Sequence, residues 1–161
     1  MIQYDNSSVR RQDRLLPEER ALQLLREGEY GYLSMTLENG KAYGIPLNYV
    51  WTGEVVYFHC APEGIKLKAM EKNPAVSFCV VGHTHVLSAK FTTAYESIVV
   101  DGRMELVADD EERMKALEAI IDKYSPEHKV VGLKYAKGSF HRTYLLRLTP
   151  ERMTGKCKQK L

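Results

Sequence analysis

Strand-like segments joined by tight turns constrain the fold of this chain more than any other feature. Residues Tyr30 to Thr36 favour a strand, and the Asn39-Gly40 pair that follows tolerates the positive φ angles of a tight hairpin. A second strand is predicted from about Ala42 to Trp51. After a turn at residues 52–54, the apolar and aromatic run 55–59 predicts a third strand. We expect these three strands to form an antiparallel meander.

Three further segments favour strands later in the chain. They are Ala75 to Val81, Tyr95 to Val107 and Thr143 to Leu148, and the last leaves a continuation after Pro150 open. Gly102 interrupts the second of them and indicates a bulge or a close backbone approach. Six strands joined largely by short turns favour an antiparallel barrel over a doubly wound parallel sheet. The expected fold class is therefore mainly β with flanking helices, built on a six-stranded antiparallel barrel.

Helical patterns occur in three places between these strands. Pro17 to Glu27 has acidic residues in its first turn, and Gly64 to Lys72 ends before an Asn-Pro pair. Asp109 to Tyr124 has the clearest pattern, with Asp109 or Asp110 as its N-terminal cap. Its apolar stripe at helical spacing consists of Met114, Leu117, Ile120 and Ile121.

Length and charge limit the class of protein. The 161 residues, of which 44% are hydrophobic and 27% charged, are sufficient for one domain with its own core. We expect a single domain over residues 1–161, loosely ordered at residues 1–10 and 157–161. The net charge of +2 is too small to indicate a nucleic-acid partner.

Cellular location follows from three negative features of the sequence. It contains no continuous apolar stretch near the ~20 residues that a membrane span requires, so no membrane partner is expected. Residues 1–6 lack the basic and apolar regions of a secretory signal. Cys60, Cys79 and Cys157 form no C-x-x-C pair, which is typical of free thiols in a reducing compartment. A cytoplasmic protein is expected.

The segment from Tyr57 to Lys68 is the strongest candidate for a binding function. A strand ends at His59, a turn follows, and a helix starts near Gly64 with Lys66 and Lys68 in its first turn. Lysines at a helix N-terminus oppose the helix dipole unless an anion lies between them and the free N–H groups, so a phosphate site is predicted. The alternative is that both lysines are ordinary solvated side chains. The sequence contains neither a Walker loop nor a G-x-G-x-x-G motif.

Five patches in a fixed order resemble one family. They are residues 10–14 (RRQDR), 43–49 (YGIPLNY), 57–66 (including YFHCA and GIK), 95–103 (YESIVVDGR) and 154–156 (TGK). Together they resemble the pyridoxamine 5′-phosphate oxidase-like flavin-binding split barrels, in particular the nitroimidazole-resistance branch. The resemblance implies a split β-barrel homodimer with FMN, occasionally FAD, at two equivalent sites between the subunits. Because the sequence lacks the family's C-terminal segment rich in Arg and Trp, vitamin B6 oxidation is disfavoured.

The resemblance also implies roles for individual residues. Pro46, Leu47 and Asn48 would lie along the isoalloxazine, and His59 and Cys60 would line the same cleft. Lys66 would contact the flavin phosphate through a charge-assisted hydrogen bond. Residues approaching from the barrel, or from the partner subunit, would be Tyr95, Glu96 and Ser97.

His59 is the predicted catalytic residue. A histidine at the end of a buried strand is more often structural, but in this branch the matching histidine is the favoured active-site residue. It would orient or protonate a substrate stacked on the flavin. His83 and His85 would share one face of a strand, but no third ligand accompanies them, so no metal site is predicted.

Three functions remain open from the sequence. The first is an FMN-dependent oxidoreductase, similar to nitroreductases, that uses a nicotinamide donor to reduce a small electron-poor acceptor such as a nitroaromatic or nitroimidazole. The second is a flavin-binding or redox-sensing protein without catalytic activity. The third is a haem-binding split barrel with His59 or His83 as the axial ligand.

Overall fold

The computed structural model describes residues 3–159 of the chain. Nine strands and four α-helices alternate along it, with four short 3₁₀ turns between them. In chain order they are β1 Gln3–Tyr4, α1 Glu18–Glu27, β2 Gly31–Thr36, β3 Ala42–Leu47, β4 Val50–Trp51, β5 Val56–Cys60, α2 Ile65–Lys72, β6 Ala75–Val81, β7 His85–Leu87, β8 Thr92–Leu106, α3 Asp110–Tyr124, α4 Lys129–Ser139 and β9 Tyr144–Lys158.

The sheet curls until its two edges come together. Its strand order is β3-β2-β6-β8-β9-β5-β4, so β3 and β4 are the two edge strands. Only Asn48 and Tyr49 separate these two strands in the chain. Because two residues span less than about 11 Å, the edges must lie side by side. This is the half-barrel of a split β-barrel, and the expected fold class, mainly β with flanking helices, is confirmed.

Two details of the strand prediction were wrong. The expected meander does not form, because the chain leaves the sheet at Leu47 and re-enters at its other edge with Val50. The predicted hairpin at Asn39-Gly40 is present, with Gly40 at a φ of 77°. The described part of the chain contains nine strands rather than the six expected. Seven of them form the strand order given above, and β1 and β7 pair beside it with β9 and β8.

The ends of the chain are more regular than expected over the residues described. Gln3–Tyr4 pairs in parallel with β9, and β9 continues through Pro150 to Lys158. The Tyr4 hydroxyl donates a hydrogen bond to the Leu16 carbonyl at 2.5 Å. Residues 1, 2, 160 and 161, which were also expected to be loosely ordered, lie outside the described residues.

The bulge expected at Gly102 is confirmed. The pairing of β8 with β9 shifts register there, from Asp101 opposite Arg152 to Gly102 opposite Pro150, and leaves Glu151 as the extra residue. A Cβ on Gly102 would lie 2.2 Å from the Thr149 carbonyl oxygen. Only a residue without a side chain fits at this crossing.

Replacing Gly102 by Ala is therefore expected to be strongly destabilising. The new methyl group would meet backbone rather than a movable side-chain end, and overpacking of this kind costs about 1–3 kcal/mol. Urea unfolding measures the loss. Gly138→Ala is the matched control, because nothing lies within 4 Å of a Cβ at that helical position. Equal stability of the two variants would contradict the close crossing.

Two apolar clusters fill the structure. The larger lies inside the curled sheet, where Phe78 contacts Tyr49 and Phe58 edge to face with ring centroids 4.8 and 5.0 Å apart. The smaller lies on the outer side of β5 and β9, under α3 and α4. Helix α3 begins as expected, since the Asp109 carboxylate accepts a hydrogen bond from the Glu112 N–H at 2.7 Å. Among residues 3–159, no helix has the length and apolar character needed to cross a membrane.

Candidate functional site

The end of β5 and the start of α2 bring His59, Cys60 and Lys66 to one corner of the barrel. Side chains alternate along the strand, so Phe58 and Cys60 face the core while His59 points to the opposite side. The chain then turns at Gly64, whose φ of 135° is a conformation that side chains rarely adopt. Lys66 lies in the first turn of the helix that follows.

The N-terminus of α2 carries no side-chain cap. Gly64 occupies the capping position, and the first backbone hydrogen bond of the helix runs from the Lys68 N–H to the Gly64 carbonyl at 3.4 Å. No acidic residue occupies the first turn. The free N–H groups and Lys66 therefore present positive charge to whatever occupies this corner.

Cys60 lies close enough to Lys66 to sense its charge. Burial raises the pKa of the Cys60 thiol, and the nearby Lys66 ammonium offsets that rise only in part. The thiol is therefore protonated near neutral pH, and a thiolate is not the resting form. Cys60 serves here as a partly buried residue packed against the core.

A cleft of about 770 Å³ opens beside this corner. Residues His59, Cys60 and Ala61 form one wall, and helices α3 and α4 form the other. Its volume falls within the ~300–1,000 Å³ typical of small-molecule sites. Gly132 sets the spacing of the two helices, since a Cβ there would lie 3.0 Å from Cγ2 of Ile121. Both residues belong to the helical wall.

The imidazole of His59 faces the cleft without a hydrogen-bond partner in the described part of the chain. Part of its surface remains open to solvent, but the surrounding protein lowers the His59 pKa below its usual 6.5 by desolvation. The neutral ring therefore dominates at pH 7. A neutral imidazole both donates and accepts a hydrogen bond, which suits the orientation of a polar ligand atom.

Tyr95 and Glu96 line a different cleft of about 470 Å³, together with His83. The Glu96 carboxylate accepts two hydrogen bonds from Arg20, at 2.5 and 3.0 Å, and this pairing lowers the pKa of Glu96. Ser97 points to the opposite side of β8 from Glu96. Within one chain, these three residues are therefore not assembled with His59 in the cleft beside β5.

Pro46 and Leu47 end β3, and Asn48 lies in the two-residue link to β4. The Asn48 side-chain amide donates to the Glu29 carbonyl at 2.9 Å, which holds the link against the end of α1. Tyr124 strengthens the same junction by donating to the Glu29 carbonyl at 2.6 Å. One of the two N–H groups of the Asn48 amide is thus engaged within the chain, and the other N–H and the side-chain oxygen are left for a ligand.

The sequence analysis predicted helix α3 but missed α4, the other half of the helical wall of the cleft. It predicted no element between residues 125 and 142, and it assigned no site to His128 or Arg142, which both line the cleft. The overlooked signal is the four-residue spacing of Val131 and Tyr135, which places both on one face of α4. Two glycines and a short turn after Pro126 obscure that pattern.

Comparisons with known proteins agree with this architecture. The family model described as pyridoxamine 5′-phosphate oxidase matches residues 17–157. No curated protein matches the sequence.

Solved structures share the fold at low sequence identity. A protein of Bacteroides thetaiotaomicron, provisionally assigned to 5-nitroimidazole antibiotic resistance, superposes with a TM-score of 0.77 at 21% identity, covering 89% of this chain and 85% of that one. The FAD and haem binding protein of Mycobacterium smegmatis gives 0.75 at 18%, covering 91% and 74%. An FAD-binding protein of Mesorhizobium loti gives 0.62 at 24%, covering 91% and 98%. With the family model matched over nearly the whole chain, the protein belongs to the pyridoxamine 5′-phosphate oxidase family.

Proposed function

We propose that the protein is a flavin-dependent oxidoreductase that binds FMN and reduces a small electron-poor acceptor, with a nicotinamide cofactor as electron donor. The observation that carries the proposal is the corner at the end of β5. There His59, Cys60 and Ala61 line a cleft of about 770 Å³, and the uncapped N-terminus of α2 with Lys66 follows directly in the chain. The family and the flavin-binding structural neighbours support the same assignment. The neighbour linked to nitroimidazole resistance supports the choice of acceptor class.

The residues of this corner fit a flavin phosphate. Its negative charge would meet the N–H groups of the first turn of α2, which have no capping side chain. Lys66 would add a charge-assisted hydrogen bond. The candidates for contacts with the isoalloxazine ring are Cys60, the side-chain amide of Asn48, Pro46 and Leu47. FAD would be held through the same groups.

His59 is the proposed catalytic residue. A bound flavin supplies two-electron transfer between donor and acceptor. Because its pKa lies below 6.5, His59 is neutral at pH 7 and offers one N–H and one lone pair to a polar atom of the acceptor. Its role is to orient that atom and to deliver or take up a proton there.

Replacing His59 by Ala is expected to leave flavin binding intact and to reduce turnover about 100-fold, the scale of a lost general acid or base. The matched control is His85→Ala, which removes an exposed imidazole from β7. Flavin content is read from absorbance, and turnover from nicotinamide oxidation in the presence of a nitroaromatic acceptor. Unchanged turnover in the His59 variant would remove this residue from the mechanism.

We also propose a homodimer with flavin sites between the subunits. Side chains on the outer face of the sheet, including Tyr30, Tyr32 and Val81, are about half exposed at 50%, 47% and 48%. Ser97 pairs with Val81 in the sheet and belongs to the same region. Burying this surface on a second copy would bring Tyr95 and Ser97 toward the partner's flavin. Light scattering of the flavin-loaded protein tests this, and a monomer that retains flavin would contradict it.

The whole proposal is tested first by the absorbance spectrum of the purified protein between 300 and 600 nm. Two flavin bands, with FMN identified after release, are the expected result. A colourless protein that takes up no added FMN would refute the flavin assignment. Steady nicotinamide oxidation with an acceptor separates an enzyme from a flavin-binding or redox-sensing protein.

The free thiols of all three cysteines support the expected cytoplasmic location.

Haem is the second candidate ligand. His59 and His128 both line the apolar cleft, and imidazole is a common axial ligand of haem iron. His83, the other histidine considered, lies at the separate cleft beside Glu96. The Mycobacterium smegmatis neighbour is described as binding both FAD and haem. A Soret band in place of the flavin bands would identify haem, rather than flavin, as the bound cofactor.

A further inference from the structure

The cleft beside His59 has an uneven distribution of polar groups. Its helical wall is apolar over Leu117, Ile120, Ile121 and Val131. Among the described residues, Arg142 is the one permanently charged residue of its lining, which also contains the imidazoles of His59 and His128 but no Asp or Glu. A cleft of this kind favours a flat apolar molecule that carries negative charge and disfavours one that carries positive charge.

The backbone on both sides of Arg142 is held in place. Arg113 donates from one guanidinium nitrogen to the carbonyls of Phe140 and Thr143, at 2.8 and 2.9 Å. Its guanidinium also lies 3.9 Å from the centre of the Phe140 ring. The Thr143 hydroxyl donates to the Ser139 carbonyl at 2.9 Å. The turn that carries Arg142 is thus fixed to α3 and to the end of α4.

These contacts also leave the guanidinium of Arg142 available. A basic residue just after a helix often binds the last carbonyls of that helix, but Arg113 already binds the Phe140 and Thr143 carbonyls. Within residues 3–159, no carboxylate forms an ion pair with Arg142. Helix α4 and the turn after it, residues 129–142, contain no acidic residue at all.

We propose that this cleft is the acceptor site and that it selects aromatic acceptors carrying an anionic group, with Arg142 as the specificity-determining residue. The guanidinium would bind a carboxylate through paired hydrogen bonds, while the ring would lie against Ile120 and Ile121. The inference rests on the proposed function for the identity of the ligand as an electron acceptor. The charge selection itself rests only on the cleft.

The test compares two probes of similar shape, 4-nitrobenzoate and the neutral 4-nitrobenzamide, on the FMN-loaded protein. We expect calorimetry to show at least tenfold tighter binding of the benzoate, the scale of one charge-assisted contact. The Arg142→Met variant should lose this preference and keep its affinity for the benzamide within about twofold, while Arg142→Lys should keep part of the preference. Arg103→Met removes an exposed arginine from β8 and is the matched control.

Three outcomes would overturn the proposal. Equal affinity for the two probes, or a preference that survives in Arg142→Met, would show that the cleft does not select charge through this residue. Competition between FMN and the benzoate, together with weaker FMN binding to Arg142→Met, would indicate that the cleft binds the phosphate of the flavin and not the acceptor. The flavin spectrum of the same samples shows independently whether the proposed function holds. A protein that takes up no FMN but still prefers the benzoate through Arg142 would refute only the proposed function.

Discussion

FMN is expected to bind the Lys66→Met variant roughly 10- to 100-fold more weakly than the unchanged protein. A hydrogen bond to a charged group contributes about 1.5–3 kcal/mol, and each 1.4 kcal/mol corresponds to about tenfold in affinity. Lys66 lies in the first turn of α2, where no acidic residue and no capping side chain compete for the anion. Titration of flavin-free protein with FMN, followed by fluorescence quenching, measures the change.

Two controls make this result specific to the phosphate. Lys68→Met removes the same charge from the same helix, but Lys68 borders a different cleft with Leu37 and Glu38, so FMN affinity should change less than about threefold. Riboflavin lacks the phosphate and should bind Lys66→Met as well as it binds the unchanged protein. If FMN binds both lysine variants equally well, the phosphate lies elsewhere and the corner at β5 is not the flavin site.

Salt offers a further check on the same contact. Part of the attraction between Lys66 and a phosphate passes through solvent, because the side chain is only half-buried. Raising the ionic strength should therefore weaken FMN binding to the unchanged protein and have less effect on Lys66→Met.

Local sequence patterns predicted the strands and most helices because their causes are local. The hairpin at Asn39-Gly40 depends on residues that tolerate positive φ, and α3 begins where Asp109 caps it. The path of the sheet is not local. Nothing in the link at Asn48 and Tyr49 shows that β3 and β4 lie at opposite ends of the strand order. That arrangement depends on contacts such as the hydrogen bond from the Tyr49 hydroxyl to the Leu25 carbonyl at 2.6 Å.

The same limit applies to the candidate site. The turn from His59 to Lys66 is contiguous in the chain, so its residues were found together. The opposite wall of the cleft comes from α3 and α4, more than fifty residues later in the sequence. Ile120 and Ile121 fit the predicted apolar stripe, but a stripe does not indicate whether it faces a core or a cleft. The pairing of Glu96 with Arg20 likewise required the fold.

Phe78→Ala is expected to lower the free energy of unfolding by about 3–5 kcal/mol, the usual cost of emptying a buried aromatic site. Phe78 is fully buried, and its ring contacts Tyr49 and Phe58 edge to face, at centroid distances of 4.8 and 5.0 Å. It also occupies the space over Gly31, where a Cβ would lie 2.3 Å from the ring. These neighbours belong to the β-sheet and to the link that closes it, so they cannot collapse together to fill the cavity.

Phe91→Ala is the matched control for this loss, because Phe91 is 97% exposed and its removal should change the free energy of unfolding by less than about 0.5 kcal/mol. Urea unfolding of flavin-free protein at one fixed concentration measures both variants without stabilisation by ligand or changes in subunit association. A loss below about 1 kcal/mol for Phe78→Ala, with an unchanged dependence on urea, would mean that the core repacks around the cavity. The aromatic cluster would then not be what holds the two edges of the curled sheet together.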